Sequence, residues 1–255
     1  KIENYIIPRE HPGYGYKNGS EFILPFNHKT MPKEDSFNLL DSELSSFNAR
    51  VLLFLENLKA VVLKTPTLSC EVLKNVYKIN GYPNISRVTV SINQDENTEA
   101  EHFLVFSKIL PSTDGSGKKD YIKIAYRTNE TFDSVKKASD TNLFAFFPTQ
   151  VQTGLSFLSQ GPFALTLNRE NILYDNSRNN TIWDTLHLLY AESLDYLKKN
   201  NLIDLDFLSI MPIDTSFSDE NPIYRSFEKT LEQKLKNDAL IPTARGYGYS
   251  DDIII

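Results

Sequence analysis

The sequence is poor in the residues that build disulfides and metal sites. Its 255 residues include a single cysteine, Cys70, and four histidines that lie far apart. One cysteine excludes an internal disulfide, and a reducing compartment is the simpler interpretation, so we expect a cytoplasmic protein. No Cys/His set at metal-ligand spacing accompanies Cys70, and a metal site is therefore not expected.

Long apolar runs and a strong net charge are also missing. No run approaches the roughly 20 apolar residues that span a bilayer, and the start shows no signal-peptide pattern, so no membrane partner is expected. The net charge of -6 and the pI near 5.3 give no overall attraction to nucleic acid. Nucleic acid is therefore not indicated as a partner, although local basic patches stay open.

What the sequence does contain is typical of a folded chain. Hydrophobic residues make up 40% and aromatic residues 12% of the composition. A chain of this length and composition can bury a substantial core in one large domain or two small ones.

A long amphipathic helix is predicted near the start of the chain. Apolar residues recur at alternating spacings of three and four from Phe37 to Leu58. This period is that of one helix face, and a core-packed helix is favoured over a coiled coil because no clear charge pattern accompanies the three heptads.

Strand-like segments follow, and their order predicts an antiparallel meander. They are rich in β-branched and aromatic residues, with polar turns between them. Residues Leu68–Lys78 fit either a strand or a short helix. The predicted strands are Ala60–Lys64, Arg87–Asn93, His102–Leu110 and Tyr121–Arg127.

The rest of the chain is predicted as short strands followed by helices. Phe132–Ala138 is predicted as a helical turn, and Asn142–Pro148, Gly154–Leu158 and Phe163–Leu167 as strands. Helices are predicted around Ile182–Leu197 and over Ile223–Lys236, before a short extended piece at Leu240–Thr243. The fold class is therefore α+β, with a mixed β-sheet and helices packed mainly on one face.

Several motif-like stretches lack the context that their chemistry needs. Gly115–Lys118 has neither the spacing of a phosphate loop nor a following helix, and a hairpin turn is favoured. Gly13–Gly19 lacks the flanking strand and helix of a dinucleotide fingerprint. No G-x-S-x-G elbow nominates a nucleophilic serine, and Asp204 is best interpreted as a helix cap.

The stretch Leu143–Ile172 is the candidate functional centre. It holds an apolar strand followed by Asn168-Arg169-Glu170-Asn171. A guanidinium on a strand end is suited to sensing a phosphate, since it is permanently charged and forked. On residue chemistry alone, a surface pair between Arg169 and Glu170 is the favoured interpretation.

The same stretch resembles sacsin-like ATPases, which are relatives of the ninety-kilodalton heat-shock chaperone in the superfamily shared with gyrase and histidine kinases. The matching features are a phenylalanine-rich strand with Pro148-Thr149, the step Gly161-Pro162-Phe163, and the ending Asn168–Ile172. The resemblance runs collinearly over roughly residues 18–248 and is most specific over 143–172.

The resemblance implies a middle, transducer-like domain with a ribosomal-protein-like βαβ fold. Arg169 matches the arginine that reaches ATP bound on the preceding domain, and Asn168 and Asn171 become candidate nucleotide contacts. ATP and Mg are implied for the full-length protein, and no cofactor for this stretch alone. Leu173 stands where the chaperone has a glutamine, which puts a second polar contact in doubt.

The resemblance also predicts how the chain is organised. The superfamily's ATP-pocket motifs are not visible and the chain begins at Lys1, so we expect a fragment that does not hydrolyse ATP alone. Residues 1–35 are expected to be a closing strand and linker, 36–213 the middle domain, and 214–255 a helical extension. The expected partners are the upstream ATP-binding domain and a client protein or oligomer partner.

Two further hypotheses stay open. The first is a binding module for a polypeptide or another macromolecule, with aromatic loops at Tyr14/Tyr16 and Tyr247/Tyr249 as contact surface. The second is a free-standing enzyme with a local active site, which a deep pocket of converging titratable groups would favour.

Overall fold

The computed structural model describes residues 30–94, 97–110 and 119–250. The chain divides into two compact units, of which the first ends at Ser46 and the second begins at Phe47. Compact units and functional domains need not coincide, so the domain boundaries predicted at residues 35 and 213 stay predictions. The interpretations of Gly13–Gly19 and Gly115–Lys118, and the Tyr14/Tyr16 loop, lie outside the described residues.

The first unit contains helix α1, Lys33–Ser45, and the second begins with a separate short helix, α2, Val51–Phe54. The single helix predicted over Phe37–Leu58 is therefore wrong across residues 46–50. The apolar spacing nevertheless continues past the break, because all four residues of α2 are buried and must be apolar for that reason.

The break has a local chemical cause. The hydroxyls of Ser45 and Ser46 donate to the carbonyls of Asp41 and Glu43 in the last turn of α1. The side-chain oxygen of Asn48 then accepts a bond from the backbone N–H of Arg50, immediately before α2. Side chains of this kind compete with helical backbone bonds, so they favour an end and a new start here.

The strands of the second unit are longer than the sequence predicts at the start of the sheet and shorter at its end. The undecided segment Leu68–Lys78 is a strand. The strands are β1 (Ala60–Lys64), β2 (Ser69–Ile79), β3 (Tyr82–Gln94), β4 (Asn97–Ile109), β5 (Tyr121–Thr128), β6 (Val135–Lys136), β7 (Asn142–Ala145), β8 (Phe147–Gln152), β9 (Leu158–Gln160), β10 (Ile241–Thr243) and β11 (Gly246–Gly248).

The sheet is large, mixed and mostly antiparallel. Its order is β1-β2-β3-β4-β5-β9-β7-β8, with β6 also paired to β5, and β10 and β11 form a separate hairpin. The predicted meander is confirmed by antiparallel pairing from β1 through β5. Within the described ranges, only β7 and β9 pair in parallel, and they are joined through β8 without a helix. The βαβ unit that the resemblance implies is therefore not found there.

Four predictions between residues 132 and 167 are wrong in detail. The predicted strand Gly154–Leu158 overlaps an observed strand only at its last residue, because β9 begins at Leu158. The predicted helical turn at Phe132–Ala138 contains strand β6. The predicted strand Asn142–Pro148 is a hairpin, because Phe146 adopts a left-handed backbone with φ 68° between β7 and β8. Residues Phe163–Leu167 form no strand and have only one bridge, between Leu165 and Ile172.

The remaining helices follow β9. The positions of the two helices that the sequence predicts here, around Ile182–Leu197 and over Ile223–Lys236, are confirmed, whereas the short helix Thr215–Glu220 is not predicted from the sequence. Asn176 and Asn221 cap the first and last of these helices by accepting bonds from the next backbone amides, and Pro222 is the first helical residue after Asn221. Asp204 accepts a bond from the backbone of Phe207, as predicted for a cap. The elements are α3 (Ser177–Lys199), a 3-10 helix (Asp206–Ser209), α4 (Thr215–Glu220) and α5 (Pro222–Asn237).

The two faces of the sheet have different covers. Along β5, Ile124 and Tyr126 join the core with α3 and α5, and the Tyr126 hydroxyl lies 2.8 Å from the hydroxyl of Ser193. Lys123 points to the opposite face, because side chains alternate along a strand, and it pairs with Glu56 just after α2 at 3.0 Å. The fold is thus α+β, with α3 and α5 on one face and the short α2 on the other.

Candidate functional site

Arg169 lies at the tip of a narrow hairpin-like turn. The two arms are joined by bonds from Leu173 N to the carbonyl of Ala164 and from Thr166 N to the carbonyl of Asn171, at 2.9 and 2.8 Å. The backbone N–H of Arg169 itself donates to the carbonyl of Thr166 at 2.9 Å. The structure therefore places the predicted arginine on a tight turn, whereas the sequence predicted a strand end.

Two polar side chains, those of Thr166 and Asn168, form hydrogen bonds within this turn. The Thr166 hydroxyl donates to Asn168 Oδ1 at 2.6 Å and accepts from the backbone N–H of Asn171 at 3.2 Å. Asn168 Oδ1 also accepts from the backbone N–H of Glu170, and Asn168 Nδ2 donates to the Glu170 carboxylate. The amide of Asn168 is thus engaged within the turn, and Asn171 contributes backbone groups to it.

The Arg169 guanidinium projects from the turn without a partner in the part of the chain that the structure describes. The surface pair with Glu170, favoured from residue chemistry, is not formed, because the Glu170 carboxylate binds Asn168. The backbone of Arg169 has φ 60°. A left-handed conformation costs an L-residue roughly 1–2 kcal/mol, so an ordinary surface residue would rarely stand here.

The turn is fixed to the rest of the second unit at two places. The backbone N–H of Gln150, on the edge strand β8, donates to the carbonyl of Glu170 at 2.8 Å. At the base, the buried side chain of Asn179 accepts from Ala164 N at 2.7 Å and donates to the carbonyls of Ala164 and Leu173 at 3.0 and 2.7 Å. The arginine is therefore carried on a braced turn.

Large apolar side chains are exposed around this segment. They lie on the arms and tip of the Arg169 turn and at the β7–β8 hairpin, and only their grouping on one segment is informative, because singly exposed apolar residues are normal on a protein surface. Of the predicted contact residues Tyr247 and Tyr249, Tyr249 is exposed, whereas the Tyr247 hydroxyl donates to the carbonyl of Ile203 and the Tyr247 ring is partly buried. The exposed residues are Phe146, Phe147, Leu167, Leu173 and Tyr174.

A cavity of about 400 Å³ opens on the α2 face of the sheet. Lys123 and Gln160 lie in its lining, with Glu56 opposite and Phe54 and Phe146 beside them. The Lys123 ammonium bonds Glu56 at 3.0 Å. The Gln160 side chain is buried, and neither its oxygen nor its nitrogen has a hydrogen-bond partner.

Two bases near these elements, the buried Lys74 and the half-buried His187, have lowered pKa values. Burial lowers the pKa of Lys74, whose ammonium donates to the carbonyl of Leu55 at 2.6 Å. Burial also lowers the pKa of His187 on α3, with a smaller opposing effect from the Asp184 carboxylate. The Nδ1 atom of His187 lies 3.3 Å from the hydroxyl of Thr230 on α5.

The described residues contain no group of three His, Cys, Asp or Glu side chains placed to hold a metal ion. No helix among the described elements is both long enough and apolar enough to cross a bilayer.

Sequence reasoning missed Asn179 and gave Gln160 no role. Asn179 sits in an asparagine-rich helix start, and its partners lie 15 and 6 residues away in the chain. Gln160 belongs to a strand of three residues, which is too short for periodicity to show its direction. Neither residue therefore carries a local signal.

Comparison with known proteins gives no match of any kind. No family model matches the chain, no curated protein matches it, and no solved structure matches it.

Proposed function

We propose that this chain is the middle, transducer-like part of a sacsin-like ATPase. Arg169 contacts the γ-phosphate of ATP, with Mg, bound on a separate upstream domain, and the contact couples the nucleotide state to conformation. The observation that carries the proposal is the unpartnered guanidinium of Arg169 on a braced, left-handed turn. Local strain that persists at a braced position is typical of functional sites.

The chemistry of the turn supports the proposal. A γ-phosphate has three equatorial oxygens that gain charge in the transition state, and a forked guanidinium can bond two of them at once. Because Asn168 and Glu170 satisfy one another, no carboxylate of the turn neutralises Arg169. Because Arg169 has no ion pair within the turn, its guanidinium can bind a phosphate without first breaking one.

The neighbouring residues take different parts in the proposal. The bonds of Asn168 to Thr166 and Glu170 suit a residue that positions Arg169. Direct contacts of Asn168 and Asn171 with the nucleotide stay predictions. The family assignment rests on the sequence resemblance over 143–172, and the absence of a βαβ unit among the described elements is a departure from it.

The test is ATP turnover by the protein with its upstream ATP-binding domain. Arg169→Ala should lower kcat by at least about tenfold, because single donors to a developing charge contribute factors of that size or more. Arg169→Lys should recover only part of the rate, since an ammonium lacks the fork. Arg245→Ala is the matched control, because Arg245 is exposed on the β10–β11 turn. An unchanged kcat in Arg169→Ala would refute the role.

A second candidate function is a binding module for another polypeptide, without catalytic role. It is favoured by the exposure of Leu167, Leu173 and Tyr174 on the same turn. Under this alternative, Leu167→Ser with Tyr174→Ser weakens binding of a permanently unfolded model polypeptide, measured by fluorescence anisotropy, and Arg169→Ala leaves ATP turnover unchanged.

A further inference from the structure

The register of the sheet places Gln160 on the floor of the cavity. Lys123 on β5 pairs with Gln160 on β9, and Phe144 on β7 pairs with Gln160 from the other side. Paired residues point to the same face. That face is the α2 face, because Lys123 bonds Glu56 and the Phe144 ring lies 4.8 Å from the ring of Phe54.

The floor contains a polar group that nothing in the protein satisfies. Gln160 is 1% exposed, and its amide oxygen and nitrogen both lack a partner. A glutamine amide offers an acceptor beside two donors in one plane. Buried polar groups are normally paired, and an unpaired one calls for an explanation such as a bound molecule. The complementary ligand presents a donor next to an acceptor on one planar edge.

The walls add flat apolar surface and charged groups of both signs, of which Lys123 pairs with Glu56 and Asp120 pairs with Arg178. Phe54, Tyr121 and Phe146 line the cavity, and the rings of Tyr121 and Phe146 are accessible enough to stack on a flat heteroaromatic group, whereas Phe54 is buried against Phe144. Lys119 also lines it, and within the described ranges no ion pair neutralises this side chain. The volume of about 400 Å³ falls within the range of small-molecule sites.

We propose that this cavity binds a nucleoside monophosphate. The amide of Gln160 bonds the donor–acceptor edge of the base, the aromatic side chains flank the ring, and Lys119 faces the phosphate. The glutamine amide is a known partner of such an edge, as in the bidentate contacts that glutamine makes to adenine. Because the amide is buried, binding includes movement of the exposed rim side chains Phe146 and Lys119.

The experiment is a titration of the isotope-labelled chain with adenosine monophosphate, followed by NMR at the backbone amides of the cavity residues Tyr121 and Lys123 in every variant, and also at the side-chain amide of Gln160 where that residue is present. Gln160→Met is the test variant, because it replaces an unpaired amide by an apolar side chain of similar length and should fold. Gln150→Met is the control, since it makes the same change at an exposed position of β8. Gln160→Met should raise the Kd by at least about tenfold, and Gln150→Met should leave it unchanged.

Two further probes separate the base from other chemistry. Ribose 5-phosphate has the phosphate without the base and should bind at least about tenfold more weakly than adenosine monophosphate. N-acetylglycinamide has a peptide edge without phosphate or ring and should also bind at least about tenfold more weakly. Equal binding of either probe would overturn the proposal. So would an absent shift at Gln160, or an unchanged Kd in Gln160→Met. Because the assay uses this chain and this cavity, a failure here leaves the role of Arg169 untouched.

Discussion

Asn179 and Ala164 form a reciprocal pair in which a side-chain amide takes the place of a neighbouring strand. Ala164 N donates to Asn179 Oδ1 at 2.7 Å, and Asn179 Nδ2 donates back to the Ala164 carbonyl at 3.0 Å. The same nitrogen reaches the carbonyl of Leu173 at 2.7 Å on the other arm. One buried side chain from α3 therefore closes the base of the turn that carries Arg169.

We expect Asn179→Ala to destabilise the second unit and loosen the turn. The substitution removes three hydrogen bonds. It leaves the Ala164 N–H and the Leu173 carbonyl without a partner, whereas the Ala164 carbonyl keeps its bond from Leu173 N. A buried group that loses its partner costs about 1–3 kcal/mol. The free energy of unfolding in urea should fall by at least about 2 kcal/mol, and hydrogen exchange at the backbone amides of Thr166 and Asn171 should accelerate.

Asn180→Ala is the matched control, because Asn180 is the next residue of α3 and is exposed. It should change neither quantity appreciably. If both variants showed the same loss of stability, the effect would come from the helix start, and the bracing role of Asn179 would be wrong.

A second prediction concerns the backbone of Arg169, whose φ is 60°. Glycine adopts this conformation readily, whereas alanine does not. Arg169→Gly should therefore be more stable than Arg169→Ala by about 1 kcal/mol, measured by denaturant unfolding. Arg245 is not among the described residues with a positive φ. At this position the glycine variant should therefore be no more stable than the alanine variant. If the glycine variant were the more stable one at both positions, the strained backbone at Arg169 would be contradicted.

The sequence predicts the sheet well where local pattern and tertiary packing agree. The alternation of buried and exposed residues along β3 shows in its β-branched positions, and the meander follows from the polar turns. The helices α3 and α5 are preceded by Asn176 and Asn221, residue types that cap helices through their own side chains. These elements carry their signals within a few residues.

The Arg169 segment is predicted less well, because its structure depends on exceptions to local rules. The apolar run 142–148 hides a turn at Phe146, which takes a left-handed backbone that its residue type does not favour. The position of Arg169 depends on Asn179 and on the bond from Gln150, and both lie far along the chain. Such long-range bonds leave no periodic signal.

A third prediction concerns Gly154, which follows β8 with φ +69°. A Cβ at this position would lie 1.8 Å from Cε1 of Phe217. Gly154→Ala should thus combine the cost of a left-handed alanine, about 1–2 kcal/mol, with overpacking of about 1–3 kcal/mol. Gly81→Ala is the control, since Gly81 has φ +80° and nothing within 4 Å of its Cβ position, so it should show the backbone cost alone.

The packing part of this effect can be separated with a second substitution. In a chain that already carries Phe217→Ala, Gly154→Ala should cost about as much as Gly81→Ala does. A Gly154→Ala cost that stayed equally large without the Phe217 ring would show that the ring is not the obstacle.

The fourth prediction is a pH dependence of stability from His187. Its ring lies 4.6 Å from the ring of Phe227, and its Nδ1 lies 3.3 Å from the Thr230 hydroxyl. Burial lowers the pKa of His187 below the ordinary value of 6.5, and the Asp184 carboxylate opposes this only in part. Between the lowered pKa and 6.5 the unfolded chain binds more protons than the folded chain, so the free energy of unfolding should decrease as the pH falls below about 6.5. The loss of stability should stop below the pKa of His187 in the folded chain, where both states are protonated.

Urea unfolding between pH 7.5 and 5.5 should show this dependence of the unfolding free energy on pH in the wild type. His187→Gln, which stays neutral, should show a weaker dependence. An unchanged slope in His187→Gln would assign the pH dependence to other groups.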